Sequence, residues 1–200
     1  MAANTLLIAC GALAKELVQL TRRNEWSHVR VQCLPPELHN TPEKIPAEVV
    51  AIIEENQRKY DHIFVGYADC GTGGMLDKAL AKYGIERLPG AHCYEFFTGS
   101  ARFAALCDDE PGTYYLTDFL VRHFDRLVVR ALGLDRYPQL RDEYFRNYRR
   151  VVYLAQSQSD DLSRLARSHA AFLGLDYEEQ FTGLAPVNNV LNEHIIQWQN

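Results

Sequence analysis

No apolar run in these 200 residues approaches the roughly 20 that a helix needs to cross a bilayer, so a membrane-spanning role is not expected. Acidic side chains outnumber basic ones, 26 to 21, for a net charge of −5. The chain therefore lacks the basic footprint of a nucleic-acid binder. No C-x-x-C pair occurs, and five cysteines are an odd number without tight pairing. That pattern fits a reducing compartment better than a disulfide scaffold. The phosphate-binding fingerprints G-x-G-x-x-G and the Lys-ending Walker loop are also missing. Neither Lys nor Arg precedes Cys10, and the apolar run starts only at Leu6. Leu7-Ile8-Ala9-Cys10 is thus read as a first strand, not as a lipoprotein attachment box, and the protein as cytoplasmic. Repeats, linkers and low-complexity segments are absent too.

What is present is an ordinary globular composition, 47% apolar and 24% charged. Two hundred residues suffice for one large α/β domain spanning 1–200. The first hundred residues alternate strand and helix signals. Strands are expected at Leu6–Cys10, Val29–Leu34, His62–Tyr67 and Ile85–Leu88, with helices at Gly11–Arg23, Pro46–Lys59 and Gly74–Tyr83 between them. Such alternation predicts a three-layer, Rossmann-like α/β fold with a mainly parallel sheet. A helical insertion is expected over about 113–148, from the apolar periodicity of Thr113–Leu132 and from Tyr137–Tyr148. A strand at Val151–Leu154, a helix at Asp160–Leu173, a strand at Asp176–Phe181 and an amphipathic segment at Val187–Trp198 complete the pattern.

Chemistry concentrates at three glycine-flanked cysteines: Cys10 in IACGAL, Cys70 in YADCGTGG and Cys93 in GAHCYEF. The first two follow apolar strands, and the carboxyl ends of parallel strands are where open α/β sheets keep their ligand sites. Thiolates are soft metal ligands and strong nucleophiles. One reading is a metal site of Cys10, Cys70 and Cys93, with His92 as the fourth ligand. Zinc is the expected ion, and an iron–sulfur cluster the alternative. His39, Asp69 and Glu95 are candidates to act as acid–base groups or to orient that shell. Gly71, Gly73 and Gly74 could expose amides to an anion or an oxyanion. A second reading makes Cys70 a metal-free nucleophile acting on a small molecule, with His39 or His92 as base. Cys33 and Cys107 lack polar surroundings and read as core. Arg136, Arg141, Arg146, Arg149 and Arg150 either form local ion pairs or present a patch to an acidic partner.

The set LIACGAL, LPPELHNTPEKI, VGYADCGTGG, HCYEFFTG, YYLTDFLVRHFD, GLDRYPQLRDEYFRNYRRVVYLAQ and LGLDYEEQFTG resembles a prokaryotic domain-of-unknown-function family of about this length, found in archaea and bacteria. Relatives in that family tend to sit among corrinoid-dependent methyltransferase systems for methylamines and betaines. The resemblance implies a role in one-carbon metabolism, as an enzyme, as an accessory factor or as a docking module for a corrinoid protein or methyltransferase. It carries over no catalytic residues.

Overall fold

A computed structural model of the chain describes residues 4–197. It divides into two compact units. One holds the residues up to Cys93 together with those from Asn188 onward, and the other holds Tyr94–Val187. Each is built on a three-stranded parallel sheet with flanking helices, so the chain adopts the α/β fold its alternation predicts.

In the first unit, β1 (Thr5–Cys10) is the central strand, and every residue of it is buried. Each fully buried Leu or Ile there contributes about 1.5–3 kcal/mol relative to exposure. A 3-10 turn and α1 (Ala14–Arg23) lead to β2 (Val29–Leu34), and α2 (Ile45–Asn56) then leads to β3 (His62–Gly66). The strand order is β2-β1-β3, with Cys10 in register with Leu34 and Ala9 with Gly66. The chain thus steps from β1 to one side and then back across it. Right-handed crossovers require α1 and α2 to cover opposite faces, which opens a crevice at the carboxyl ends of β1 and β3. Helix α3 (Met75–Ala81) follows β3. The strand expected at Ile85–Leu88 reduces to one parallel bridge, Val65 with Arg87, because Pro89-Gly90 turns the chain away at once.

The second unit begins with two helices unmarked in the sequence reading, α4 (Tyr94–Thr98) and α5 (Ser100–Asp109). Its sheet has the order β4 (Thr113–Thr117), β5 (Arg150–Ala155), β6 (Asp176–Phe181). Alternate residues of β5 face two apolar layers. Val151, Tyr153 and Ala155 pack with Leu162 and Ala166 of α8 (Asp160–Leu173), and Val152 and Leu154 pack with Phe103 and Leu106 of α5. Helix α9 (Ala185–Gln197) closes the described chain, and the expected end of that segment, Trp198, lies outside it. From Asn188 onward α9 belongs to the first unit, where His194 stacks on Phe64 at 4.6 Å.

The long helix expected from Thr113 is corrected. Thr113–Thr117 is β4, a run of Thr and Tyr whose stiff, bulky side chains suit a pleated surface. Thr117 then caps a short α6 (Asp118–Arg122), its hydroxyl accepting from the Leu120 N–H at 3.3 Å, before a π-helical turn at Asp125–Arg130. The Tyr137–Tyr148 helix shortens to α7 (Leu140–Phe145). Cys33 is exposed, not core, because β2 is an edge strand, and Cys107 is half-buried.

Asp118, Arg141, Arg146 and Arg150 have structural partners. The buried Asp118 carboxylate accepts from the Tyr153 hydroxyl at 2.7 Å, the Gln156 N–H at 3.0 Å and the Ser157 hydroxyl. Arg141 pairs with Asp142 at 2.8 Å and Arg146 with Glu143 at 3.0 Å, while Arg150 bridges Asp109 and Glu178 at 2.7 and 3.2 Å. Asp118→Ala would strand three donors where β4 and β5 end. A loss of about 3 kcal/mol or more is expected, read as a lower urea midpoint. An unfolding free energy within about 0.5 kcal/mol of wild type would show that this network does not hold the unit together.

Candidate functional site

Every element that reaches the crevice of the first unit carries one chemical group. Cys10, the last residue of β1, is fully buried, and its Sγ accepts the Ala12 N–H at 3.3 Å. Gly11 follows it because a Cβ there would lie 3.0 Å from the Leu34 carbonyl and 3.1 Å from Pro36 Cδ. That close approach lets the chain after β2 fold over β1 as a 3-10 turn, Pro36–Asn40, which carries His39. His39 Nδ1 lies 3.2 Å from the Pro36 carbonyl oxygen and 3.6 Å from Cys10 Sγ. The residue keeps an exposed side, while Nδ1 faces the sulfur.

Cys70 comes from the segment after β3 and has φ +49°, a left-handed conformation that non-glycine residues rarely adopt. Its loop is fastened by Asp69, whose carboxylate accepts from Thr72 Oγ1 at 2.8 Å, Gly73 N at 3.1 Å and Gly74 N at 2.8 Å. These bonds, the Gly74 amide foremost, hold the Asp69 carboxyl below its usual range. Two further backbone bonds, Asp69 N to Gly90 O at 3.1 Å and Cys70 N to Ala91 O at 2.9 Å, draw the 90–93 segment alongside. Cys93 Sγ thereby comes to 3.0 Å from Cys70 Sγ, with both cysteines free.

The donor atoms of His39, Cys70 and Cys93 all lie within 4.8 Å of one another, and Cys10 joins them through His39. His92 is exposed and outside this group. Asp69 and the Gly73 and Gly74 amides are spent on each other, and Gly71, at φ +85°, shapes the turn. Glu95 lies in α4 of the second unit, its carbonyl accepting from Gly99 at 2.7 Å. The sequence pattern marks Tyr67 only as the end of a strand. Here it is completely buried, stacks on His39 with ring centroids 6.2 Å apart, and its enclosed hydroxyl makes no well-formed hydrogen bond. Burial first, then the neighbouring Cys10 and Cys93 sulfurs, pushes its ionisation far up. A hydroxyl-bearing residue closing the apolar run HIFVGY at a strand's carboxyl end was the available signal.

The charges are strongly coupled. The hydrogen bond from Cys93 is the largest influence lowering Cys70, which falls to about 5 with His39 assisting against burial. Cys93 is pushed well above its ordinary value, first by that same bond to Cys70 and then by burial. Burial alone would lower His39, but its bonds to Cys10 and Cys70 prevail and raise it to about 10. In the metal-free protein near neutrality the site is a Cys70 thiolate between the Cys93 thiol and the His39 imidazolium.

A family model described as a protein of unknown function (DUF1638) matches residues 33–191. The chain belongs to that family. The matched span includes His39, Cys70 and Cys93 and begins after Cys10. No curated protein and no solved structure matches the chain.

Two soft sulfurs and an imidazole are a donor set that zinc accepts. Two thiolates on one tetrahedral zinc, each about 2.3 Å away, stand roughly 3.8 Å apart. The present 3.0 Å separation needs less than about 1 Å of opening. A four-iron cluster places its thiolates on separate iron atoms, which two touching sulfurs suit less well. The enclosed Tyr67 hydroxyl adds an unused donor at the same place. The residues fit a single ion.

Alkylation tests the ion pair. In metal-free protein, iodoacetamide labelling of Cys70 is expected to rise through a midpoint near 5, since Cys70 regains its proton only below that pH. An ordinary cysteine titrates near 8.5. His39→Ala removes a positive neighbour and moves the midpoint upward. Peptide mass spectrometry across pH reads both, and a wild-type midpoint at the ordinary value would rule out the pair.

Proposed function

We propose that the first unit is a metal-binding module that holds one zinc ion through His39, Cys70 and Cys93, with Cys10 completing the set. The convergence of those three donor atoms within 4.8 Å carries the reading. Support also comes from the position, the crevice at β1 and β3 where strand order reverses. A zinc ion so held would act as a Lewis acid and stabilise the thiolate form of a bound thiol. His39, with Nδ1–H given to the Pro36 carbonyl, would present Nε2, and that bond would fix the ring. Tyr67 would turn its free hydroxyl toward a sulfur or a bound ligand.

In the setting that the family resemblance implies, the ligand is a small thiol or another methyl acceptor. The protein would then serve corrinoid-dependent methyl transfer in the cytoplasm, as an enzyme or accessory factor working with a corrinoid protein or methyltransferase. The locally paired Arg141 and Arg146 give no support to docking through the 136–150 segment. One observation favours a second reading, a metal-free Cys70 nucleophile: Cys70 is lowered to about 5 beside a raised His39.

Metal analysis of protein purified without oxygen decides between them. Near-stoichiometric zinc is expected in wild type, and most of it should be lost in Cys70→Ser, because a serine hydroxyl keeps its proton where a bound thiol ionises. Cys33→Ser, at an exposed position, should leave the content unchanged. Equal, low metal in wild type and Cys70→Ser would leave the nucleophile reading.

A further inference from the structure

Beyond holding an ion, the Cys70–Cys93 pair is arranged for chemistry of its own. We infer that Cys70 and Cys93 form a reversible redox dithiol, which a low-molecular-weight disulfide such as oxidised glutathione converts to an intramolecular bridge. The sulfurs are 3.0 Å apart and unbonded. A disulfide bond of about 2.05 Å requires closure by about 1 Å.

The backbone holds the two segments side by side independently of the sulfurs. Asp69 N–H and Cys70 N–H donate to Gly90 O and Ala91 O, and Leu88 N–H donates to the Val65 carbonyl at 2.9 Å. The Asp69 carboxylate fastens the other side of the loop through Thr72, Gly73 and Gly74. Little chain entropy remains to be lost on closing the bridge, although 23 positions separate the two cysteines. Cys70 is buried and Cys93 partly exposed as a residue, and among the described residues no other cysteine sulfur lies within hydrogen-bonding distance of either.

The exchange balances. One protein thiolate attacks the sulfur–sulfur bond of the reagent and expels a glutathione thiolate, leaving a mixed disulfide. The second protein sulfur attacks that mixed disulfide and expels the other glutathione thiolate. Two electrons pass to the reagent, and the two protons leave with the two glutathione thiols. On the metal-site reading proposed above, the bridge also removes two of the four zinc donors, so oxidation and metal occupancy exclude each other.

The test uses full-length protein in a Cys33→Ser, Cys107→Ser background, which removes the two thiols outside the site. Oxidised glutathione is added to metal-free protein and the products are read by peptide mass spectrometry. The expected product is a Cys70–Cys93 bridge with the mass loss of two hydrogen atoms and release of two glutathione equivalents. Adding Cys93→Ser or Cys70→Ser should leave the remaining partner carrying glutathione, and adding Cys10→Ser should leave the bridge intact.

Zinc present at about 100 times its Kd should slow bridging about 100-fold by mass action. A bridge indifferent to zinc supports the dithiol and removes the metal reading. Retained glutathione on the unsubstituted pair, or a bridge that runs to Cys10, overturns the inference whether or not zinc binds.

Discussion

The site depends on the placement of β1 between β2 and β3 with all three strands parallel. Because the strands run the same way, their carboxyl ends emerge at one edge, and because β1 is central, its last residue is flanked by the chains leaving both neighbours. Small residues permit the closeness. A Cβ on Gly66 would lie 3.1 Å from Ala9 Cβ, and one on Gly11 would meet the Leu34 carbonyl at 3.0 Å. Cys10, His39 and Cys70 converge because three loops leave one edge and the backbone there has nothing in its way.

Convergence of sulfur creates an electrostatic problem. Buried thiolates repel one another, and burial by itself penalises each charge. Three solutions are open to this set of atoms. A proton can stay on Cys93 while Cys70 ionises beside the His39 imidazolium, as in the metal-free site. A divalent ion can replace those protons. A covalent bond between the sulfurs can remove both charges. Metal binding, nucleophilic readiness and dithiol chemistry are therefore competing neutralisations of one buried charge set.

The second unit shows what a settled polar cluster looks like. Asp118 is as deeply buried as Tyr67, yet its carboxylate meets a tyrosine hydroxyl, a serine hydroxyl and a backbone N–H. Arg150 likewise uses its guanidinium on Asp109, Glu178, Thr113 and the Leu106 carbonyl. Both charged groups are engaged by protein partners. In the first unit the Tyr67 hydroxyl has no comparable partner among the described residues. Unfinished hydrogen bonding beside soft donors separates a site from a brace.

Local periodicity determined most of the fold. Strands β2 and β6 and helix α8 lie at the residues the pattern predicts, since apolar alternation and a capping Ser159 are local signals. It failed at Thr113–Thr117, where helical spacing further on was extended over a Thr-Tyr strand, and at α4 and α5, which carry no strong periodic signal. The cysteines themselves were legible, because glycine-flanked thiols at strand ends are few. Which partners they meet was not. His92 adjoins Cys93 in sequence but lies exposed outside the donor group, whereas His39 meets Cys10 across 29 positions. The Gly73 and Gly74 amides looked free for an anion until the Asp69 carboxylate was seen to accept both. Sequence fixes which donors a chain has and which local elements carry them. Only tertiary structure decides which donors share a charge, because that depends on distances of a few ångströms between segments far apart along the chain.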